Sequence, residues 1–389
     1  MRAVLLSAVA CFVAVAASAA DAPDACKVAS LTNIVPVSAG FSVSPTDPNT
    51  IAFARPAGGK HQIYIYDRRT KSERCLTCAG GAGGPRADRQ KGSPSFMPDG
   101  KRLVMQVEMA SHPFEGFVGG PGAGWYNDVW MATLDGAQWW NLTKYPNGRA
   151  DTFGALIPEP SPDGSKLIWA ELFDDDPRAQ AAYRKGNASP GGAPWGIWRV
   201  RLADLTTDVS GTPTIGALKS ITLPAATWYE TQSWSRDGTF IMFASDANQT
   251  TPQAMDLWVH NLTSGQSANL TKDPDGWEEF GEISPDGKLV AFMSSACCTF
   301  RPTDDKTKLR ADLYLTTPDC RWTERLTFYN EKNHPHAKDG PGGSTVTKLR
   351  WSGDGTKIYF ERPFYGTFGF VRGSWLTELS FAGSCGALR

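Results

Sequence analysis

The 389 residues carry a formal net charge of −1 with only 20% charged side chains, so no basic field of the kind that holds nucleic acid is present. Beyond the N-terminal residues, no apolar stretch approaches the ~20 residues that a membrane-crossing helix needs. The chain is instead rich in Gly (39), Pro (27) and Trp (14), a composition of turns and aromatic-bearing strands.

In chain order, Arg2 is followed by an apolar run over Ala3–Ala17 and the small residues Ala17-Ser18-Ala19-Ala20. That is the pattern of a cleaved export signal, expected over residues 1–20, and it places the mature protein outside the cytoplasm, secreted or periplasmic. Cysteine usage agrees. Of eight cysteines Cys11 lies in the signal, and the odd number left means at least one free or intermolecular thiol. Cys75-Leu-Thr-Cys78 has no second pair at zinc spacing and no βαβ context for redox chemistry, leaving a local disulfide or two inert thiols.

Two short signals then alternate along the chain. One is a tight-turn phrase: Ser44-Pro45-Thr46-Asp47-Pro48, Met97-Pro98-Asp99-Gly100, Ser161-Pro162-Asp163-Gly164, Ser235-Arg236-Asp237-Gly238, Ser284-Pro285-Asp286-Gly287 and Ser352-Gly353-Asp354-Gly355. The other is Leu-Thr at Leu31, Leu76, Leu142, Leu270 and Leu326, with Ile221-Thr222 as its sixth member. Three times the Leu or Ile precedes the turn Asp by 16 residues (31 to 47, 221 to 237, 270 to 286). A repeat of short strands and Asp-Gly turns predicts an all-β, six-bladed β-propeller with four-stranded blades. The expected blades span about 35–77, 88–143, 154–223, 228–271, 277–327 and 345–381 within one domain, 26–389. Of five Asn-x-Ser/Thr sequons, Asn141 and Asn269 fall in the Leu-Thr repeat, so repeat composition accounts for them without glycosylation. After Trp375–Phe381 the last unit has no Leu-Thr segment, and the orphan Leu31-Thr32 supplies it. Residues 29–33 are therefore expected to pair into the last blade and remove its open edge, bringing Cys26 near Cys385.

These phrases resemble the TolB-like, WD40-like propeller family, whose hallmark S-x-D-G-x-x-[ILV]-[AVY]-[FWY] stands at Ser284–Phe292 and again from Ser352. The resemblance covers nearly all of 26–389 and implies fold. It leaves function open, because that scaffold hosts binding modules, peptidase-associated domains and carbohydrate-cleaving enzymes.

Long segments at 108–127, 171–195, 294–311 and 328–346 all fall on the face opposite the Asp-Gly turns, where a site is expected. Trp228 and Glu230 stand nine and seven residues before Asp237, and Trp277 and Glu279 stand nine and seven before Asp286. Two adjacent inner strands thus present equivalent carboxylates, with Trp228 and Trp277, joined by Trp125 and Tyr126 of the first long segment, as faces for sugar rings. Paired carboxylates, one kept protonated by an apolar setting, are the equipment of a glycosidase. The readings are a glycoside-cleaving enzyme, hydrolase before lyase, or a non-catalytic propeller binding a protein or glycan partner, monomeric in either case. Glu159 and Glu282, four before their turn Asp, are expected to be structural. Asn333-His334-Pro335-His336, with Glu331 upstream, is similar to the His-Pro-His stretch of oligogalacturonate lyases, which implies a divalent metal on His334 and His336, with His112 a remote third candidate. Departures from that family are Glu331 in place of a Gln, a longer loop and six units rather than seven. No G-x-S-x-G and no P-loop occurs, and Asp174-Asp175-Asp176 and Asp304-Asp305 read as solvated acidic runs.

Overall fold

Each Asp-Gly phrase is a tight turn held by its own side chains. The hydroxyls of Ser161, Ser235, Ser284 and Ser352 donate to the carboxylate two residues on at 2.6–2.7 Å. The following Gly164, Gly238, Gly287 and Gly355 adopt φ near +70°, which Gly meets without Cβ strain. The turn closes the hairpin between an inner strand and its neighbour. In the computed structural model, residues 26–80, 82–112, 119–146, 153–172, 197–249, 254–273, 276–298, 309–338, 340–366, 371–383 and 385–386 are described.

The Leu-Thr signal is a clasp. In four blades the Thr hydroxyl (Thr77, Thr143, Thr271, Thr327) accepts a third-strand backbone N–H from Ile63, Val129, Leu257 or Leu313. It donates to the side chain one residue earlier: Gln62, Asp128, Asp256 or Asp312. The preceding Leu is buried in each case. Asn141 and Asn269 spend their amides on Asp128 and Asp256, so both sequon side chains serve the clasp.

Six antiparallel sheets result, each beginning at an inner strand: β2 (Phe41–Val43), β6 (Lys91–Phe96), β10 (Gly154–Pro160), β15 (Tyr229–Trp234), β19 (Glu278–Ile283) and β23 (Thr347–Trp351). The protein is a six-bladed propeller. Turns of successive blades abut on one face, Gly100 against Thr46 and Gly164 against Pro98. The third blade departs from four strands. Its strand β12 (Trp198–Thr207) is long enough to pair with both β13 (Pro213–Ile215) and β14 (Lys219–Ile221), because a hairpin capped by Asp208 extends it outward.

The ring closes as the repeat demands. Strand β1 (Val28–Pro36) pairs antiparallel with β25 (Val371–Phe381), and Cys26–Cys385 staples the two with Cα atoms 4.5 Å apart. Cys75–Cys78 and Cys297–Cys298 are also disulfides, and Cys320 keeps its thiol. Residues 1–20 lie outside the described residues. Among the described residues no helix is long and apolar enough to cross a membrane.

One feature of the inner strands has no sequence mark. Register shifts recur after Gly92, Leu156, Thr231, Glu279 and Thr347, and Ser93, Ile157, Phe280 and Lys348 there take φ of +42° to +53°. All four stand six residues before their turn Asp. Such a bulge re-aims the side chains around it, here about the ring axis.

Candidate functional site

The bulges divide the channel into two tiers. Positions nine and seven residues before the turn Asp form the tier nearer the long loops; positions six and four form the tier below. In the upper tier a cavity of about 390 Å³ is lined by Trp228, Glu230, Trp277 and Glu279 from blades four and five. His61, Gln90, the segment Gly120–Ala123, Met255 and Leu309 complete it. All but the inner-strand residues come from loops and strand ends opposite the turns.

Glu279 is not equivalent to a solvated carboxylate. Glu279 is 5% exposed, and its Oε1 has no hydrogen-bond partner among the described residues. Burial pushes its pKa well above the usual carboxylate range, the Glu230 charge pushes it further, and the Trp277 indole draws it part of the way back. Trp228 and Trp277 are 7% and 8% exposed. Trp228 meets Trp198 edge-on with ring centres 5.3 Å apart, so both indoles are walls of the cavity rather than open platforms.

Opposite them the wall is polar and neutral. His61 is held between Ser38 Oγ at its Nε2 and Gln90 Oε1 at its Nδ1, both at 3.2 Å. Gln90 Oε1 also accepts the His61 backbone N–H. A carbonyl oxygen only accepts, so Nδ1 carries the proton and Nε2 accepts from Ser38; burial lowers the imidazole pKa and keeps it neutral. Ser38 and Gln90 stand nine residues before Asp47 and Asp99, the register of the two tryptophans. Extending that register to all six units would have found Gln90; nothing in the repeat marks His61.

The first long segment reaches the cavity by its glycine-proline stretch. Gly120–Ala123 closes over the channel because blade two carries Gly92 at the glutamate position, where a Cβ would lie 2.4 Å from Pro121. Gln106 donates to the Pro121 carbonyl and fixes the segment. Trp125 and Tyr126 stand outside this lining. The Tyr126 ring is buried and stacked at 4.8 Å on His112, which bonds Glu108 at 2.9 Å. His112 is thereby committed to a buried carboxylate on another element.

The lower tier has the same carboxylate count and adds two cations. Lys348 and Arg350 both bond Glu159 Oε1, and Ser95 donates to Oε2 at 2.7 Å. Burial alone would raise the Glu159 pKa; Arg350 and Lys348 together hold it below the usual range. Burial pushes Glu282 up to about 7, with Arg350 opposing, and depresses Lys348 to about 8. Glu282 accepts the Trp351 backbone N–H. This cluster ties blades two, three, five and six together at the axis.

The His-Pro-His stretch does not gather a ligand set. His334 Nδ1 accepts the His336 N–H and His336 Nδ1 accepts the Phe328 N–H, both at 3.2 Å. Glu331 turns to Arg325 at 3.6 Å. Among the described residues the group of His, Cys, Asp and Glu side chains close enough to share an ion is Cys297, Cys298 and Asp312. Its sulfurs are joined as a disulfide, and the Asp312 oxygens already take Thr327, Tyr329, Arg325 and Asn330. Among the described residues, neither this group nor His334 and His336 is arranged as a divalent-metal site. The acidic runs 174–176 and 304–305 lie outside the described residues.

No known family profile matches the chain. It is 35% identical over 66 residues to dipeptidyl-peptidase 5 of Porphyromonas gingivalis, covering 16% of this chain and 10% of that protein. It is 32% identical over 82 residues to tricorn protease homolog 1 of Streptomyces coelicolor, covering 21% and 7%. The chain thus matches about a tenth or less of each curated relative's length. Among solved structures it is similar to a putative TolB from Agrobacterium tumefaciens, at 15% identity and TM-score 0.46, covering 82% of this chain and 90% of that one. It is also similar to an oligogalacturonate lyase in complex with manganese, at 11% identity and TM-score 0.48, covering 92% and 96%. Prolyl oligopeptidase B from Galerina marginata follows at 12% and 0.46, covering 90% and 43%. At such identities and TM-scores these likenesses assign no activity.

Proposed function

We propose that the protein is an exported, monomeric propeller enzyme that cleaves glycosidic bonds in the cavity between blades four and five. The observation that carries this reading is that Glu279 lies buried in the same largely apolar cavity wall as Glu230, where burial and the Glu230 charge push its pKa up. A carboxylic acid that keeps its proton at neutral pH is a general acid, and a neighbouring carboxylate is a base or a nucleophile. Glu279 gives its proton to the glycosidic oxygen as the bond to the anomeric carbon breaks. Glu230 either takes a proton from the water that attacks the anomeric carbon, or bonds that carbon itself; in the second case water then attacks the carbon, its bond to Glu230 breaks to free the carboxylate, and Glu279 takes the water's proton. The volume suits a sugar unit or two, and the indole walls suit its apolar faces. No step uses a metal.

The test is cleavage of a glycoside panel by the wild type, Glu230→Gln and Glu279→Gln. Each variant is expected to lose on the order of 10²–10⁴-fold in rate with its fold retained. Unchanged cleavage in both variants, or none by the wild type, ends the enzymatic reading. A second reading, a propeller that only binds a protein or glycan, is favoured by how closed the cavity is, with both indoles under a tenth exposed and Pro121 seated at Gly92. A wild type that retains sugar without cleaving it is the outcome that selects it. Export itself is tested by sequencing the mature N-terminus, expected just after residue 20.

A further inference from the structure

We infer that a cleft between the outer parts of blades three and four holds the oxyanion of a sulfate or phosphate ester. The inference does not rest on the preceding reading, because this cleft shares no described lining residue with the central cavity. It encloses about 450 Å³, more than a free tetrahedral anion fills, between Lys166, Asp204 and Lys219 of blade three and His260 and Ser267 of blade four. Two departures from the repeat build it. In blade three the hairpin into β13 carries the chain outward before β14, and on its return Gly216 donates to the Asp204 carbonyl at 2.7 Å, which sets Ala217 and Lys219 along the cleft. In blade four His260 pairs with Ile241, four residues after the turn Asp. The equivalent place holds Tyr66, Ala132, Ala203, Thr316 and Leu379 in the other blades, so the fold itself asks for no basic group there.

His260 is 9% exposed; its Nδ1 meets Ser267 Oγ at 2.8 Å, and its Nε2 has no hydrogen-bond partner among the described residues. The Ser267 hydroxyl can donate or accept, so it holds the ring whether neutral or protonated. The other titratable side chains of the described wall are Lys166, Lys219 and Asp204, two ammonium groups to one carboxylate. Lys166 is paired with Asp204, but both side chains are well exposed, and such a pair is readily exchanged for a ligand. Lys166 and, more weakly, Lys219 hold the Asp204 carboxyl below its usual pKa range, while Lys219 makes no hydrogen bond or ion pair among the described residues. An oxyanion thus meets Lys219, a loosely held Lys166 and an imidazole with a nitrogen to give. Leu202, Ile221 and Leu262 offer surface to the uncharged part of an ester. Burial lowers the His260 pKa, and a bound anion opposes that shift.

The experiment is calorimetric titration of the full mature chain with glucose 6-sulfate, glucose 6-phosphate, inorganic sulfate and glucose. A sulfate half-ester does not titrate near neutral pH, so any pH dependence of its binding belongs to the protein. Both esters are expected to bind, and glucose to bind about tenfold or more weakly than either. Glucose 6-sulfate is expected to bind about threefold or more tightly at about pH 5.5 than at about pH 8, because imidazole is the group of the described wall that gains charge in that window. Lys219→Glu, at an exposed position, is expected to weaken ester binding about tenfold or more, and His260→Gln to remove the pH dependence. Should His260→Gln fail to fold, the wild-type His260 ring followed by NMR keeps the test: its pKa is expected to rise on saturation with glucose 6-sulfate. Glucose binding as tightly as the esters, inorganic sulfate binding as tightly as glucose 6-sulfate, ester binding untouched by Lys219→Glu, a His260 pKa that does not move, or no binding of either ester overturns the inference.

Discussion

Glu159 and Glu282 in the lower tier and Glu230 and Glu279 in the upper tier sit three residues apart in the repeat, on the same channel and in equal number. Their fates differ because of one neighbouring strand. The sixth blade supplies Lys348 and Arg350 to the lower pair, whereas at the glutamate register it supplies only Thr347. Below, carboxylates are clamped and hold the blades together. Above, the described residues of the cavity wall include no Lys or Arg, and burial together with the Glu230 charge raises the Glu279 pKa. What separates Glu159 from Glu279 is the pair of cations that Glu159 meets.

Removing one of those cations should have the largest effect. Lys348→Met leaves Glu159 buried with a single cation and is expected to destabilise the fold by about 3–5 kcal/mol in urea unfolding. An unchanged midpoint would mean the lower tier is no clamp. Glu279→Gln should act the other way, gaining about 1–3 kcal/mol at pH 8, because it replaces a buried, incompletely paired carboxylate with a neutral group. The pH dependence carries opposite signs for Glu279 and Glu159. Glu279 has its folded pKa raised above 4.5, so its ionisation opposes folding, and the wild type should lose stability relative to Glu279→Gln as pH rises above about 4.5. Glu159 has its folded pKa lowered, so its contribution is present above about 4.5 and is lost as pH falls, which Glu159→Gln should abolish. Parallel pH profiles for the two variants would erase the distinction between Glu159 and Glu279.

Gly92→Ala probes the closing segment instead of the charges. A Cβ there meets Pro121 at 2.4 Å, and the expected cost is about 1–2 kcal/mol, low in the overpacking range because the segment lies outside the sheets and can shift. Weaker sugar binding should accompany it; unaltered binding would detach Gly120–Ala123 from the cavity. The smallest effect is expected from Ser235→Ala, about 0.5–1 kcal/mol and no change in ligand binding. Blade two already carries Met97 where the other turns have Ser, so that hydroxyl tightens the turn without being required for it.

How much of this was legible follows from how local each device is. The Ser-x-Asp-Gly turn and the Thr clasp are made by side chains a few residues from the backbone they hold, so they repeat as words, and blade number and ring closure could be read from them. Glu230 and Glu279 were found by counting from the turn Asp, since position along an inner strand fixes depth in the channel. The bulges were not legible: Ser93, Ile157, Phe280 and Lys348 share a backbone conformation and no chemistry. Without the bulges the contacts of Lys348 with Glu159 could not be foreseen. Trp125 and Tyr126 were chosen as aromatic residues on a long segment, but the glycine-proline stretch before them is what reaches the cavity, because only there does Gly92 leave room. At the His-Pro-His stretch a one-turn helix at Pro335–Ala337 turns both Nδ1 atoms onto backbone N–H groups, an arrangement that the residue types alone do not reveal.

The Cys26–Cys385 bond has a consequence for how this molecule survives damage. It links residues 359 positions apart, so the folded polypeptide is covalently a circle. A single protease cut in any exposed connection between those cysteines yields one linear molecule whose two new ends are still tethered through the last blade, not two fragments. The oxidised protein should keep its mass after one nick and fall apart into pieces only when a reductant is added, which makes mobility on reducing against non-reducing gels a direct record of whether the circle has formed.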